Sequence, residues 1–333
     1  MTPGRIRASG ARRLAIAALL LAAGFTATAR AEDPAYITIA TAAPDGAYHR
    51  LGLDTCRMIN RRCAGRGLRC VVEPTNGTGD NLLHIAAGHV DLAFAQLDGV
   101  VRDQPDAILV SERGRCTTHA DGDAPGDDRV LTGTEEALFI LRRAEAGDRA
   151  SPADLAGLLQ MPGTLVSLGP AGSGTRNLAE ALLAYLGIDL PAGREVALPA
   201  DLQLPALCRQ DVDIIFRMLA PARAALLLNA PRDSCRLQLI PVPADDPPGA
   251  PPLTRAVGVE RRVITLSDLP EGDMTVMTVT APMVVLASPG LCAAGGGKLP
   301  PLLRNALLAA IKPDPLPETT LPAATPAGCA AGP

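Results

Sequence analysis

A strand, a glycine-rich turn and a helix start occur in that order twice, and this pattern limits what the chain can fold into. The apolar run Leu165 to Leu168 leads into Gly169-Pro-Ala-Gly-Ser-Gly-Thr-Arg176 and then into the helix-like Leu178 to Leu186. Earlier, Cys70 to Val72, Thr75-Asn-Gly-Thr-Gly-Asp-Asn81 and Leu82 to Ala87 repeat the sequence of elements. Glycine lets the backbone approach a ligand closely. The first N–H groups of a helix lack intrahelical acceptors, and the helix dipole favours negative charge there. Two such turns facing one another across a cleft would make an anion site.

Strand-like and helix-like runs alternate along the rest of the chain. Ile37 to Ala40 is a strand candidate, a helical stripe follows through Leu51, Leu53, Cys56, Met58 and Ile59, and Val90 to Ala95 is a further strand. This alternation predicts an α/β fold with mostly parallel sheets. Val90-Asp91-x-x-Phe94 and Val212-Asp213-x-x-Phe216 stand at comparable points of two similar lobes. The expected division is lobe I from 32–140 and 261–312 and lobe II from 141–260. Thr275 to Ala287 would return to lobe I, and Leu302 to Ile311 would close it with a helix. Ser111 to Asp128 reads as a surface loop, Ser151 as a helix cap, and 313–333 as a disordered tail rich in Pro and Ala.

Residues 1–31 have the form of an export signal, with arginines ahead of the apolar Leu14 to Phe25 and cleavage expected after Ala31. Five of the 31 basic residues lie in this leader and none of the 35 acidic ones, so the remainder carries a net charge near −9. That balance argues against nucleic acid as a partner. The eight cysteines suit an oxidising compartment. Cys56, Cys63 and Cys70 are spaced unlike zinc ligands and have no paired histidines, which favours disulfides over a metal. Aromatic residues are only 2% of the chain, too few for a sugar site built on ring stacking, so a small, polar, charged ligand is expected.

The ordered set Ile37-Thr-Ile-Ala-Thr…Gly46-Ala-Tyr48, Glu73-Pro-Thr75-Asn-Gly77-Thr78…Asn81, Gly88-His-Val-Asp91…Gln96 and Gly169-Pro-x-Gly-Ser-Gly-Thr175 resembles the TAXI family of TRAP-transporter solute receptors. The resemblance runs from Ile37 to Ile311. It implies a two-lobed periplasmic-binding-protein fold of type II-like form with a central cleft. It further implies capture of a glutamate-like or dicarboxylate ligand and delivery to a TRAP-type membrane permease by a periplasmic monomer without cofactor or metal. The same cleft would also serve a sensor that reports its ligand to a membrane partner. The resemblance extends to cysteine pairs Cys56–Cys70 and Cys208–Cys235, with Cys329 expected free or only loosely partnered. The chain departs from the family in having His49 for a second tyrosine, Thr78 for serine, and Leu219-Ala-Pro221 for Gly-His-Pro.

Enzyme readings fail on residues. Ser173 lacks the Gly-x-Ser-x-Gly frame of a hydrolase elbow, because Ala171 and Thr175 stand where glycines are needed. A phosphate-binding loop would need lysine where Thr175 stands. The expected ligand-binding set is therefore Tyr48, His49, Gly77, Thr78, Asn81, Gln96, Gly172, Ser173, Gly174, Thr175, Arg176 and Arg217. The two arginines are the candidates for neutralising a carboxylate, which a guanidinium grips in bidentate fashion.

Overall fold

A computed structural model describes residues 35–44, 46–118, 128–144, 154–229, 235–269, 272–312 and 329. The export leader, the Ser151 cap and the tail other than Cys329 lie outside the described residues.

The first lobe starts with β1 (Ala35–Ala40), α1 (Ala47–Arg62), β2 (Leu68–Glu73), α2 (Thr78–Ala86) and β3 (Leu92–Gln96). In β2, Leu68 and Cys70 are buried while Arg69 and Val71 are exposed, the period of two expected of an edge strand with one covered face. All five residues of β3 are buried, as befits a strand in the middle of the sheet with helices on both faces. Helix α1 buries Tyr48, Gly52, Thr55, Cys56 and Ile59, a helical stripe laid on one face of this sheet. Its last turn carries Arg61 and Arg62, which complement the negative end of the helix dipole.

Helix α3 (Leu97–Asp103), β4 (Ile108–Val110), β5 (Cys116–Thr118) and the long β6 (Thr132–Arg143) follow. Then come α4 (Asp154–Gln160), β7 (Val166–Ser167), α5 (Gly174–Tyr185), α6 (Ala200–Arg209), β8 (Ile214–Leu219), α7 (Pro221–Asn229) and β9 (Leu237–Ile240). The last elements are α8 (Leu253–Ala256), β10 (Glu260–Leu266), β11 (Met274–Ala287), α9 (Pro289–Ala294) and α10 (Pro301–Ile311).

The main strand order is β2-β1-β3-β11-β6-β8-β7. Among the described residues three pairings are parallel and seven antiparallel, so the sheet is mixed where mostly parallel strands were expected. The parallel pairs belong to the helix-connected strands β1–β2, β1–β3 and β7–β8. The antiparallel ones arise because β6 leaves the first lobe and β11 runs back, and each pairs against its neighbours in the opposite sense.

Two pairs of apolar clusters define the lobes. Ile39, Phe94, Val285 and Leu307 belong to one face of the first, with Leu82 and Val284 on its other face. Leu178, Leu182 and Phe216 lie on one face of the second, with Phe139, Leu207 and Ile215 opposite. Along β11 the partners change: Val276 and Val279 pack in the second lobe, whereas Met283 to Ala287 pack in the first. The boundary expected at 261 therefore differs from the packing, since β10 and the first half of β11 lie against the second lobe through Ile264, Leu266 and Met274. Helix α10 packs on α1 in the first lobe.

Glu195 forms an isolated parallel bridge to Val166. The stretch read as a surface loop at 111–128 contains β5, which pairs with β4 and is tied down by Cys116–Cys292. Cys56–Cys70 and Cys208–Cys235 are disulfides, with Cα separations of 4.9 and 5.3 Å. Cys329 is not loose. It is buried and bonded to Cys63 across a Cα separation of 5.5 Å. A cysteine far along a Pro/Ala-rich segment carries no local sign of its partner, and Cys63 lies in the first-lobe core that receives it.

Candidate functional site

The two glycine turns meet. Gly172 takes a positive φ of 77°, which turns its carbonyl toward the start of α2, where the N–H groups of Gly79 and Asp80 donate to it at 2.9 and 3.3 Å. A Cβ on Gly77 would lie 3.6 Å from the nitrogen of Gly174, so backbone faces backbone across the interlobe contact. Beside this contact lies a cavity of about 490 Å³.

Ser173 caps α5, its Oγ accepting from the N–H of Arg176 at 3.1 Å. The N–H groups of Gly174 and Thr175, and that of Thr78 at the start of α2, find no acceptor among the described residues. All three residues line the cavity. The hydroxyls of Thr78 and Thr175 accept from the N–H groups of Gln96 and Met218, both at 3.1 Å, so each is held in place; the Thr78 hydroxyl also lies against that of Tyr48, while the Thr175 proton is left to donate. This end of the cavity is a donor field of the kind that suits a carboxylate.

Arg217 lies on β8 and lines the cavity, one of its guanidinium nitrogens donating to the carbonyl of Ala200 at 2.6 Å. Arg50 on α1 and Arg223 on α7 also line it, and both are exposed, which places them where the cavity opens to solvent. Neither forms an ion pair among the described residues.

On the first-lobe side stands an acid that was not anticipated. Glu136 on β6 receives hydrogen bonds at Oε2 from Tyr48 Oη, 2.9 Å, and from Gln96 Nε2, 3.2 Å. It keeps part of its surface open to the cavity although protein surrounds it, and that desolvation raises its pKa above the ordinary carboxylate value against the two donors. Desolvation, and then the nearby Glu136, push the Tyr48 hydroxyl well up, so it stays a donor. The Tyr48 ring also packs near Phe94, with centroids 5.9 Å apart. A sequence signal for Glu136 existed: it shares a strand face with Leu138 and Ile140, both core residues.

The expected site residues therefore separate into two sets. Tyr48, Gly77, Thr78, Gln96, Ser173, Gly174, Thr175 and Arg217 line the cavity. His49 does not; its Nδ1 lies 3.3 Å from Thr41 Oγ1, behind the turn. Asn81 is fully buried, donating to the carbonyls of Thr41 and Phe94 at 2.6 and 2.7 Å and accepting from Thr75, so it braces the first turn. Gly172 shapes the contact between the turns and is not part of the lining. Arg176 faces away, bound to Glu180 at 2.8 Å and to Glu195. A residue two positions into a helix can point toward the cap or along the outer face, and here two carboxylates on the outer face hold it.

Asp98, at the start of α3, is 1% exposed, its Oδ1 has no hydrogen-bond partner, and Arg102 is 3.6 Å from its other oxygen. Burial raises its pKa to about 6, against the opposing pull of Arg102. An acid whose folded pKa lies above its unfolded value contributes stability fully present below the unfolded value, about 4, and lost as pH rises through about 6. Asp98→Asn is therefore expected to stabilise the protein at pH 7 by roughly 2–3 kcal/mol. Denaturant melts at pH 7 and pH 3.5 check this: the gain should shrink toward zero at the lower pH, and a gain of equal size at both would rule the charge out as its cause.

A scan against protein-family models finds no match, and a search of curated proteins likewise finds none. Among solved structures the chain is similar to MatC from Rhodopseudomonas palustris with bound malate, at 16% identity and a TM-score of 0.47, covering 84% of each chain. It is similar at 16% identity and 0.44 to the alkanesulfonate-binding protein SsuA from Xanthomonas axonopodis pv. citri bound to MOPS, covering 84% of this chain and 74% of that one. It is similar at 15% identity and 0.42 to the GluR0 ligand-binding core from Nostoc punctiforme with L-glutamate, covering 82% and 91%. This chain itself has a two-lobed α/β fold, its lobes joined by the long strands β6 and β11. No helix among the described residues is long and apolar enough to cross a membrane.

Proposed function

We propose that this protein is an exported, periplasmic solute receptor that closes two lobes on a small carboxylate and performs no chemistry on it. In the reading the sequence resemblance suggests, it acts as a monomer and hands the ligand to a TRAP-type permease. The observation that carries the proposal is the cavity where the glycine turns meet, into which unaccepted N–H groups at the start of α5 and the guanidinium of Arg217 present donors. Ligand that touches both lobes binds the closed form better and shifts the population toward it.

Charge-assisted hydrogen bonds contribute about 1.5–3 kcal/mol, so Arg217→Ala is expected to weaken binding by roughly 10- to 150-fold. Arg217→Lys should restore part of this, because the bidentate fork is lost. Arg176→Ala should leave affinity unchanged, since its guanidinium is held by Glu180 and Glu195. Native mass spectrometry of freshly isolated protein identifies the ligand, and calorimetry with it on the three variants tests the assignment. Equal affinity for Arg217→Ala and wild type would remove the arginine from the site.

A further inference from the structure

Resting on the solute-receptor reading, an acid outside the cavity bears on how the lobes close. Asp98 is the second residue of α3 in the first lobe, just after the strand that ends in Gln96. Its neighbour Gly99 lies against the first glycine turn, where an added Cβ would sit 2.7 Å from the methyl carbon of Thr78. Helix α3 also packs on α5 of the second lobe, so Asp98 stands at the seam between the lobes.

The second lobe lays backbone over this acid. Gly258 lies between Val257 and Val259, both members of a second-lobe cluster. It takes a positive φ of 83°, and a Cβ there would be 3.4 Å from Asp98 Cα and 3.7 Å from Asp98 Cβ. A residue without a side chain thus lets the second lobe approach closely. Under this cover Asp98 is 1% exposed, and its Oδ1 has no hydrogen-bond partner among the described residues. A carboxylate so placed has lost water without gaining a full set of donors, which is costly while it is charged.

Its neighbours do little to offset that cost. On α3 itself Arg102 is 3.6 Å from the other carboxylate oxygen and is shared with Asp103. From α1 the hydroxyl of Tyr48 comes near, and the Asp98 charge helps to push its pKa up. Strands β3 and β11 and residues 257–259 carry no ionisable side chain, while Arg255 and Glu260 beside that last segment are exposed. On α2, Asp80 is held by Asn76, and His84 lies against Glu73. On α5, Arg176 is held by Glu180 and Glu195, and Tyr185 donates to the carbonyl of Pro251.

We infer that Asp98 is an acid-sensitive latch: protonation lets the two lobes close over it, and at neutral pH its charge draws them apart by calling for water that Gly258 excludes. The sign follows from burial. The structure with Gly258 in place raises the Asp98 pKa to about 6, against about 4 where water reaches the group. The gain in closure is full below about 4 and is lost as pH rises through about 6. The stability change given above for Asp98→Asn is then a property of the closed form, and ligand held between the lobes is bound more tightly in acid than at neutral pH.

Amide hydrogen exchange on the full chain, stripped of bound ligand, reads closure directly, because the N–H groups of Gly79 and Asp80 donate to the Gly172 carbonyl across the lobes. Their protection, with intrinsic rates divided out, should be measurable at pH 5 and should fall roughly 10-fold by pH 7.5. In Asp98→Asn it should stay at or above the wild-type pH 5 value and change less than about twofold between the two pH values. Glu136, whose pKa burial also raises, remains in that variant, so a pH dependence arising there would survive. The wild-type comparison needs no variant to fold. Absence of protection at pH 5, a wild-type fall of less than about twofold, or an equal fall in Asp98→Asn would each overturn the latch while leaving the receptor reading intact. That reading fails separately, if the freshly isolated protein carries no ligand.

Discussion

Gly172→Ala is expected to remove the closed arrangement while leaving each lobe folded. Two independent constraints act at this position. Its φ of 77° lies in the left-handed region, where a Cβ costs about 1–2 kcal/mol. An added Cβ would also sit 2.0 Å from Asp80 Oδ1 on the other lobe, and overpacking of that kind costs typically about 1–3 kcal/mol. Asp80 cannot simply swing aside, because its other oxygen receives the N–H and the side-chain amide of Asn76 at 3.2 and 2.8 Å. The clash acts only in the closed arrangement and shifts the closing equilibrium by roughly 5- to 150-fold, whereas the φ strain weakens the second lobe whether open or closed. Ligand affinity falls by the same factor when the closed form is the binding form. Small-angle scattering should show the wild type contracting on ligand addition and Gly172→Ala failing to do so, with a melting temperature only a few degrees lower, as the backbone strain alone requires. Contraction of the variant at wild-type ligand concentration would refute the role given to this turn.

Loss of Cys116–Cys292 is expected to cost more stability than loss of either short-loop disulfide, Cys56–Cys70 or Cys208–Cys235. The bond joins positions 176 residues apart, and in the chain-entropy model a loop of that size is worth about 5 kcal/mol, against about 3 for the 14-residue separation of Cys56–Cys70. It fastens β5 to α9, two short elements with few other holds, and Cys63–Cys329 gathers the distant C-terminal cysteine into the same lobe. The double substitution Cys116→Ser, Cys292→Ser should lower the melting temperature by roughly 10–20 °C, and Cys56→Ser with Cys70→Ser by visibly less. A larger drop from the shorter loop would show that strain or local packing, not loop closure, sets the order. Lobe II contains Cys208–Cys235 alone, so full reduction should loosen the first lobe more than the second.

Much of the fold was legible because its signals are local. The strands around Ile39, around Cys70 and at Leu92–Gln96, the helices after both glycine turns, and the returning strand at 274–287 follow from side-chain period and from glycine and proline at their ends. The turns themselves were legible for the same reason: Ser173 caps α5 through its own Oγ, and the positive φ of Gly77 and Gly172 is what glycine permits. Strand direction was not legible in this way. Whether β6 and β11 pair parallel or antiparallel depends on where each strand re-enters the sheet, and that is decided by lobes already formed.

The candidate site divides along the same line. Residue type and turn position were enough to bring Thr78, Ser173, Gly174, Thr175 and Arg217 to one cavity. They were not enough for Arg176, whose direction is set by Glu180 one helical turn on and by Glu195 from a separate segment. Nor were they enough for Asn81, whose amide is taken by carbonyls 40 and 13 residues away. Glu136, Arg50 and Arg223 come from three elements whose convergence no spacing records. By itself the sequence determined the periodic elements and the turns, since those depend on neighbours within a few residues of one another. Tertiary structure alone decided which polar groups are free to meet a ligand, because a hydrogen bond or ion pair is satisfied by whatever packing brings within about 3 Å, irrespective of distance along the chain.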